Sequence, residues 1–355
     1  MCASSDMAWW RLQSHFGQVR RKAVIGAIRG NPTESGTSTW YERRTLLRAA
    51  VFGARDQELW MSGLATASSV ATGVIEEVRE DAIAVDSSQG TEFFDVSPST
   101  MTWLGAHASP SVLRSGDPVV IRYRTLDAEP ARRHAERIWA RAGRVTGTIV
   151  AVDGREFLVD ARRPDSSPQR VVFAPASSRQ IQVRFPRLAP GYLLDVIGTR
   201  HADYLLAVVP ATAQPPYHAG HSPRPPLIGG PVPVPISGSA VWHEPDGEPP
   251  GLLGVAYPAI DPETGTEPTG GAGCVRLPYL SLGTSVRIRN ECADRTAVLP
   301  VTSDAVMARE FCDRCVKCGT SPKGRVADLT MAAFVELGGN LEDGCFNATL
   351  TTMAG

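Results

Sequence analysis

Cys312-Asp313-Arg314-Cys315-Val316-Lys317-Cys318-Gly319 and, shortly after it, Arg325-Val326-Ala327-Asp328-Leu329-Thr330-Met331-Ala332-Ala333-Phe334-Val335-Glu336-Leu337-Gly338 form the stretch on which the reading of this chain turns. The first part is a cysteine-rich turn that carries an acid. The second sets another acid where a short helix is expected to start: Leu329, Ala333, Phe334 and Leu337 share one apolar face, Asp328 stands at the capping end, and Gly338 marks the stop. Around them, segments 239–243, 254–257, 280–290 and 296–302 alternate or run apolar as half-buried strands do, and 345–350 supplies a last strand.

The cysteines mark this region as one unit. Cys2 stands alone, whereas Cys274, Cys292, Cys312, Cys315, Cys318 and Cys345 all fall between 274 and 345. An even set in a compact β region reads as up to three disulfides, whose pairing the sequence does not fix. Zinc is the alternative: Cys312, Cys315 and Cys318 form C-x-x-C-x-x-C, and Cys345 or Cys292 would complete a tetrahedral set.

Upstream, the chain repeats itself. Thr72-Gly73-Val74-Ile75 through Ile83-Ala84-Val85-Asp86 aligns without a gap on Thr146-Gly147-Thr148-Ile149 through Phe157-Leu158-Val159-Asp160, a shift of 74 residues. Further on, Leu113-Arg114-Ser115-Gly116 matches Leu188-Ala189-Pro190-Gly191, each leading into an apolar strand. A repeat of this length reads as two small antiparallel β-barrels of OB-like kind, 68–128 and 129–209. Between them, 130–143 has proline where a helix would start and glycine where one would stop, although its end also suits the first strand of the second barrel. The aromatics Phe93, Phe94, Trp103 and Tyr123, like Phe157, Phe173, Phe185 and Tyr192, alternate as core residues do, which favours a scaffold over a single-strand-binding groove.

Residues 210–236 are proline-rich and read as a semi-rigid spacer that holds the last domain, 237–355, away from the first two. Its His218 and His221 read as solvated linker histidines rather than metal ligands. Residues 1–67 read as a leader: Arg43-Arg44-Thr45-Leu46-Leu47-Arg48, a modestly apolar stretch and Ala65-Thr66-Ala67 resemble a twin-arginine export signal, interrupted by Arg55-Asp56-Gln57-Glu58. A surface amphipathic helix with an incidental arginine pair is the other reading of that segment. No apolar run reaches the roughly 18 residues of a membrane helix. A formal net charge of −1 argues against a protein made to coat nucleic acid, and 28 prolines with 33 glycines suit a turn-rich β protein.

Three motifs carry a family resemblance: Leu282-Gly283-Thr284-Ser285-Val286-Arg287-Ile288, Asp313-Arg314-Cys315-x-x-Cys318-Gly319, and Asp328-Leu329-Thr330-x-Ala332-Ala333-Phe334-x-x-Leu337. In their order they resemble the double-psi β-barrel family of rare lipoprotein A, expansins and barwin-like proteins. The resemblance covers roughly 237–352 and implies a six-stranded barrel with a polysaccharide groove. It implies cell-wall glycan, peptidoglycan or similar, as partner; neither a nucleic acid nor a cofactor is expected. It maps catalytic carboxyls onto Asp313 and Asp328, with Asp304 competing for the first position. A lytic transglycosylase needs only one well-placed general acid, because the sugar's own hydroxyl displaces the bond. Trp242, Tyr257, Thr284 and Arg314 are the substrate-binding candidates. The histidine that precedes the Leu-Gly-Thr turn in transglycosylase members is missing here, and His243 is the domain's only histidine. The expected whole is an all-β, exported, wall-associated protein: two OB-like barrels, a spacer and a disulfide-stabilised double-psi barrel. Two alternatives stay open, a non-catalytic expansin-like binding protein and a cytosolic zinc module.

Overall fold

The structure, a computed structural model, describes residues 69–126, 129–162, 167–216, 218–221, 235–244, 251–260, 274–318, 322 and 324–353. The leader with Arg43-Arg44 and the proline-rich stretch 222–234 lie outside those residues.

The fold is mostly β and builds three small closed barrels. The first uses β1 (Val70–Val78), β2 (Ala82–Ser87), β3 (Gly90–Asp95), β6 (Pro118–Leu126) and β7 (Glu129–Ala140); β4 (Met101–Trp103) and β5 (His107–Ala108) extend its sheet beyond β7. Its ring runs β1-β2-β3-β7-β6, closed by a parallel contact between Asp95 and His134. The second uses β8 (Ala142–Asp153), β9 (Glu156–Asp160), β10 (Gln169–Phe173), β11 (Leu193–Arg200) and β12 (Leu205–Pro210), with helix α1 (Ser178–Arg184) between β10 and β11. Its ring, β8-β9-β10-β12-β11, has the same connectivity, again with its third and fifth strands parallel. This is the strand order of an OB-like barrel.

The 74-residue repeat holds down to strand register. Val74 faces Asp86, Ile75 faces Val85, a bulge follows, and Val78 faces Ile83; Thr148, Ile149 and Val152 face Asp160, Val159 and Phe157 around an equivalent bulge. Gly73 and Gly147 explain why: a β-carbon there would lie 2.1 Å from the Asp86 carbonyl oxygen and 2.3 Å from that of Asp160. Only glycine allows so close a backbone approach. Gly116 and Gly191 turn with φ of +87° and +88°, and each N–H donates to the carbonyl of Ile75 or Ile149 at 2.8 Å.

Segment 130–143 is extended rather than helical. β7 pairs with β6 along most of its length and completes the first barrel, so the second barrel begins at Ala142. The tertiary pairing, with Ile138, Trp139 and Ala140 fully buried, overrides the proline and glycine signals for a helix.

The third barrel comprises β13 (Ile236–His243), β14 (Val255–Tyr257), β15 (Ser285–Asn290), β16 (Arg295–Asp304), β17 (Arg325–Thr330) and β18 (Cys345–Thr352), with helix α2 (Met331–Glu336) after β17. Its six strands close in the order β13-β17-β14-β16-β15-β18. The pairs β13–β17 and β14–β16 are parallel and the rest antiparallel, a mixed barrel compatible with a double-psi topology. β15 shows the expected alternation, with Val286, Ile288 and Asn290 buried and Arg287 and Arg289 exposed. The helix starts later than the sequence suggests. Parallel pairing with β13 carries β17 through to Thr330, whose side-chain oxygen accepts from the Ala333 N–H, so Thr330 is the cap and Asp328 is a strand residue. Phe334 on α2 stacks on Phe346 with ring centroids 4.8 Å apart; full burial of such a side chain stabilises by about 1.5–3 kcal/mol.

The third barrel is not held at a distance. Trp139 of the first barrel and Ile197 of the second share one apolar core with Trp242, Phe334 and Leu341 of the third. Arg122 donates to the Gly339 carbonyl at 2.7 Å, and Arg137 pairs with Glu342 at 3.0 Å. The start of the expected spacer is docked as well: Ala211, Thr212 and Gln214 are buried, and Ala213 exchanges backbone hydrogen bonds with Arg314.

Candidate functional site

β11 is buried from Leu193 through Thr199, because one face fills the second barrel and the other meets the third. That places Asp195 in a dry interface, where an uncompensated charge would cost several kcal/mol. Two arginines compensate it. Arg144 on β8 donates from Nε and Nη2 to the two Asp195 oxygens at 2.8 and 2.6 Å, and Arg325 on β17 donates to Oδ2 as well. Thr146 adds a hydroxyl at 2.9 Å. Arg144 also reaches across the interface with Nη1, to the carbonyls of Trp242 at 2.9 Å and Gly344 at 2.8 Å. Burial alone would push the Asp195 carboxyl up, but the two guanidinium groups outweigh it and hold the pKa at about 2.

Asp313 belongs to the same network. Arg325 donates to its Oδ2 from Nε at 2.9 Å and from Nη2 at 2.6 Å, and the Arg325 guanidinium lies 3.9 Å from the Phe311 ring centroid. Asp313 and Arg325 are both 0 % exposed. The first catalytic candidate is therefore a buried partner of an arginine, and no sugar oxygen can reach it in this arrangement. Its turn was legible in the sequence; its partner, Arg325, and the second acid on that arginine, Asp195 of β11, were not.

Asp328 sits beside His243, with Oδ1 and Nδ1 3.3 Å apart and 16 % and 12 % of their side chains exposed. β13 and β17 run parallel here, Val241 opposite Asp328, which brings His243 to the acid. Burial works against the charged form of Asp328, but the hydrogen bond and charge of His243, then Arg144 and Arg325, pull its pKa below the usual value. The carboxylate is ionised at neutral pH and accepts protons poorly. Asp304 is half-buried at the end of β16, in register with Tyr257 on β14. Asp313, Asp328 and Asp304 thus lie in different settings and do not form one acid pair.

The expected stacking aromatics are core residues. Trp242 and Tyr257 are 0 % exposed; the Trp242 indole N–H donates to the Leu341 carbonyl at 2.9 Å, and the Tyr257 hydroxyl donates to that of Pro278 at 3.0 Å. Neither ring can stack on a sugar from these positions. Thr284 is a half-buried turn residue whose carbonyl accepts from the Val301 N–H at 2.9 Å. Arg314 is exposed, and its backbone ties the cysteine turn to Ala213.

Of the six clustered cysteines, Cys274 is bridged to Cys312 and Cys292 to Cys318, while Cys315 and Cys345 are buried and unbridged. Two disulfides place the fold in an oxidising environment, as outside the cytoplasm. Among the described residues, no group of three or more His, Cys, Asp or Glu side chains is arranged to hold a metal ion, and no helix is long and apolar enough to cross a membrane.

No protein-family model matches this chain, and no curated protein matches it significantly.

Proposed function

We propose that this is an extracytoplasmic, wall-associated protein whose third barrel binds cell-wall glycan without cleaving it. The observation that carries the choice of binding over cleavage is the setting of Asp313 and Asp328, the two acids onto which the resemblance maps the catalytic role. A lytic transglycosylase needs a protonated carboxyl beside the glycosidic oxygen. Here Asp313 is enclosed and paired with Arg325, and Asp328 is kept ionised by His243. Support for a wall glycan as the partner is the sequence resemblance to double-psi barrels of rare lipoprotein A and expansins, together with the six-stranded mixed barrel and the disulfides. The twin-arginine-like segment around Arg43-Arg44 supplies the matching export route. The two OB-like barrels act as a rigid mount, because both pack against the third over a shared core.

The test is incubation of the purified protein with insoluble peptidoglycan, followed by analysis of pellet and supernatant. Protein in the pellet with no soluble fragments is the expected result. Anhydro-muropeptides in the supernatant would reinstate an enzyme, and protein left in solution would remove the wall as partner.

A further inference from the structure

We propose that Cys315, Cys318 and Cys292 form an internal thiol–disulfide exchange site, in which Cys315 displaces Cys292 from Cys318. The Cys315 Sγ lies 3.7 Å from the Cys318 Sγ, in contact with a sulfur that is already bridged to Cys292. Cys315 and Cys345 sit against Val241 in a small apolar cluster with Val316 and Cys318, whereas Cys292 stands on the exposed turn after β15. The attacking thiol is thus shielded and the departing one is wet.

The surroundings also select which thiol attacks. A hydrogen bond from Cys345 lowers the Cys315 pKa and, with the N–H groups of Lys317 and Cys318, outweighs its burial. Burial, followed by the same contact with Cys315, raises that of Cys345. Cys315 is the nucleophile and Cys345 the donor that steadies it, since the thiolate is the reacting form. The Asn347 N–H donates to the Cys318 Sγ at 3.3 Å and holds the central sulfur in place.

In the exchange the Cys315 thiolate attacks the Cys318 Sγ, the Cys318–Cys292 bond breaks, and a Cys315–Cys318 bond forms. Cys292 leaves as a thiolate and takes up the proton that Cys315 gave to solvent. One disulfide and one thiol enter and one of each leave, so no oxidant or reductant is consumed. The product carries a C-x-x-C bridge and an exposed Cys292 thiol, able to form a mixed disulfide with a partner's thiol or disulfide.

The experiment uses the full chain purified without reductant, held at mildly alkaline pH, trapped with N-ethylmaleimide, and mapped by mass spectrometry after trypsin. Cleavage after Arg314 and Lys317 puts Cys312, Cys315 and Cys318 on separate peptides. The expected result is labelled Cys292 together with a Cys315–Cys318 bridge, both rising with incubation time. Cys315→Ala loses both signals, and Cys345→Ala slows their rise. An intact Cys274–Cys312 bridge reports that each variant has folded. Cys292 that stays unlabelled and bridged to Cys318 throughout overturns the proposal. So does a Cys315–Cys345 bridge, or bound zinc with Cys292, Cys315, Cys318 and Cys345 all found as thiols.

Discussion

Replacing Arg325 with leucine removes the guanidinium that holds Asp313 through Nε and Nη2 at 2.9 and 2.6 Å. Asp195 keeps the two-pronged grip of Arg144 and the Thr146 hydroxyl, so the damage concentrates on Asp313, which is 0 % exposed. A buried ion pair broken on one side costs about 3–5 kcal/mol, because the remaining charge has neither water nor partner. Replacing both members with apolar groups of similar size is often close to neutral. Arg325→Leu is therefore expected to lose about 3–5 kcal/mol, and Arg325→Leu with Asp313→Leu to recover most of that loss. Urea unfolding followed by tryptophan fluorescence reads both, since Trp139 and Trp242 are fully buried. A single variant that loses less than about 1 kcal/mol, the scale of a surface bridge, would refute the reasoning. So would a double variant no more stable than the single one.

Two further expectations concern Asp195 in the same network and the paired glycines of the first two barrels. Asp195 has a folded pKa of about 2 against an ordinary 3.8, so it contributes about 2 kcal/mol of stability that is present above the ordinary value and lost as pH falls through about 2; unfolding measured along a pH series should be nearly flat down to about pH 4 and fall below it. Gly73→Ala and Gly147→Ala should each cost about 1–3 kcal/mol or more, and by similar amounts, because each new methyl meets a carbonyl at the same place in its barrel; a large cost at one and none at the other, in thermal unfolding, would deny the equivalence of the two barrels.

The parts of the fold legible in the sequence were those set by local spacing. Gly73 and Gly147, their bulges and the turn glycines Gly116 and Gly191 recur in step, and they impose the same close backbone approach twice. The alternation of β15 also reads directly, because one face is wet. What was not legible depends on how the barrels pack. Asp195 stands inside the apolar run Leu193-Leu194-Asp195-Val196-Ile197, and an acid in such a run is the one local sign of a buried charge network. Its partners Arg144 and Arg325 are distant in sequence and meet it only through the interface. The cap shifted from Asp328 to Thr330 because strand pairing extended β17, and Trp242 and Tyr257 both joined the core, Trp242 under Arg144 of the second barrel and Tyr257 against Pro278 of the third. His243 was conspicuous as the domain's only histidine, but its pairing with Asp328 needed the parallel register of β13 and β17.

The most direct test of the claim that the third barrel does not cleave glycan through Asp328 is the protonation state of that carboxyl beside His243. A carbon-13 NMR titration of the Asp328 side-chain carboxyl, assigned with Asp328→Asn, should show no step between about pH 5 and pH 8 other than one shared with the His243 ring resonances, because the carboxyl's pKa lies below the ordinary aspartate value. A step within that window that persists in His243→Gln, where no neighbouring imidazole can titrate, would mean a carboxyl protonated near neutral pH, which is the general acid that the proposal denies.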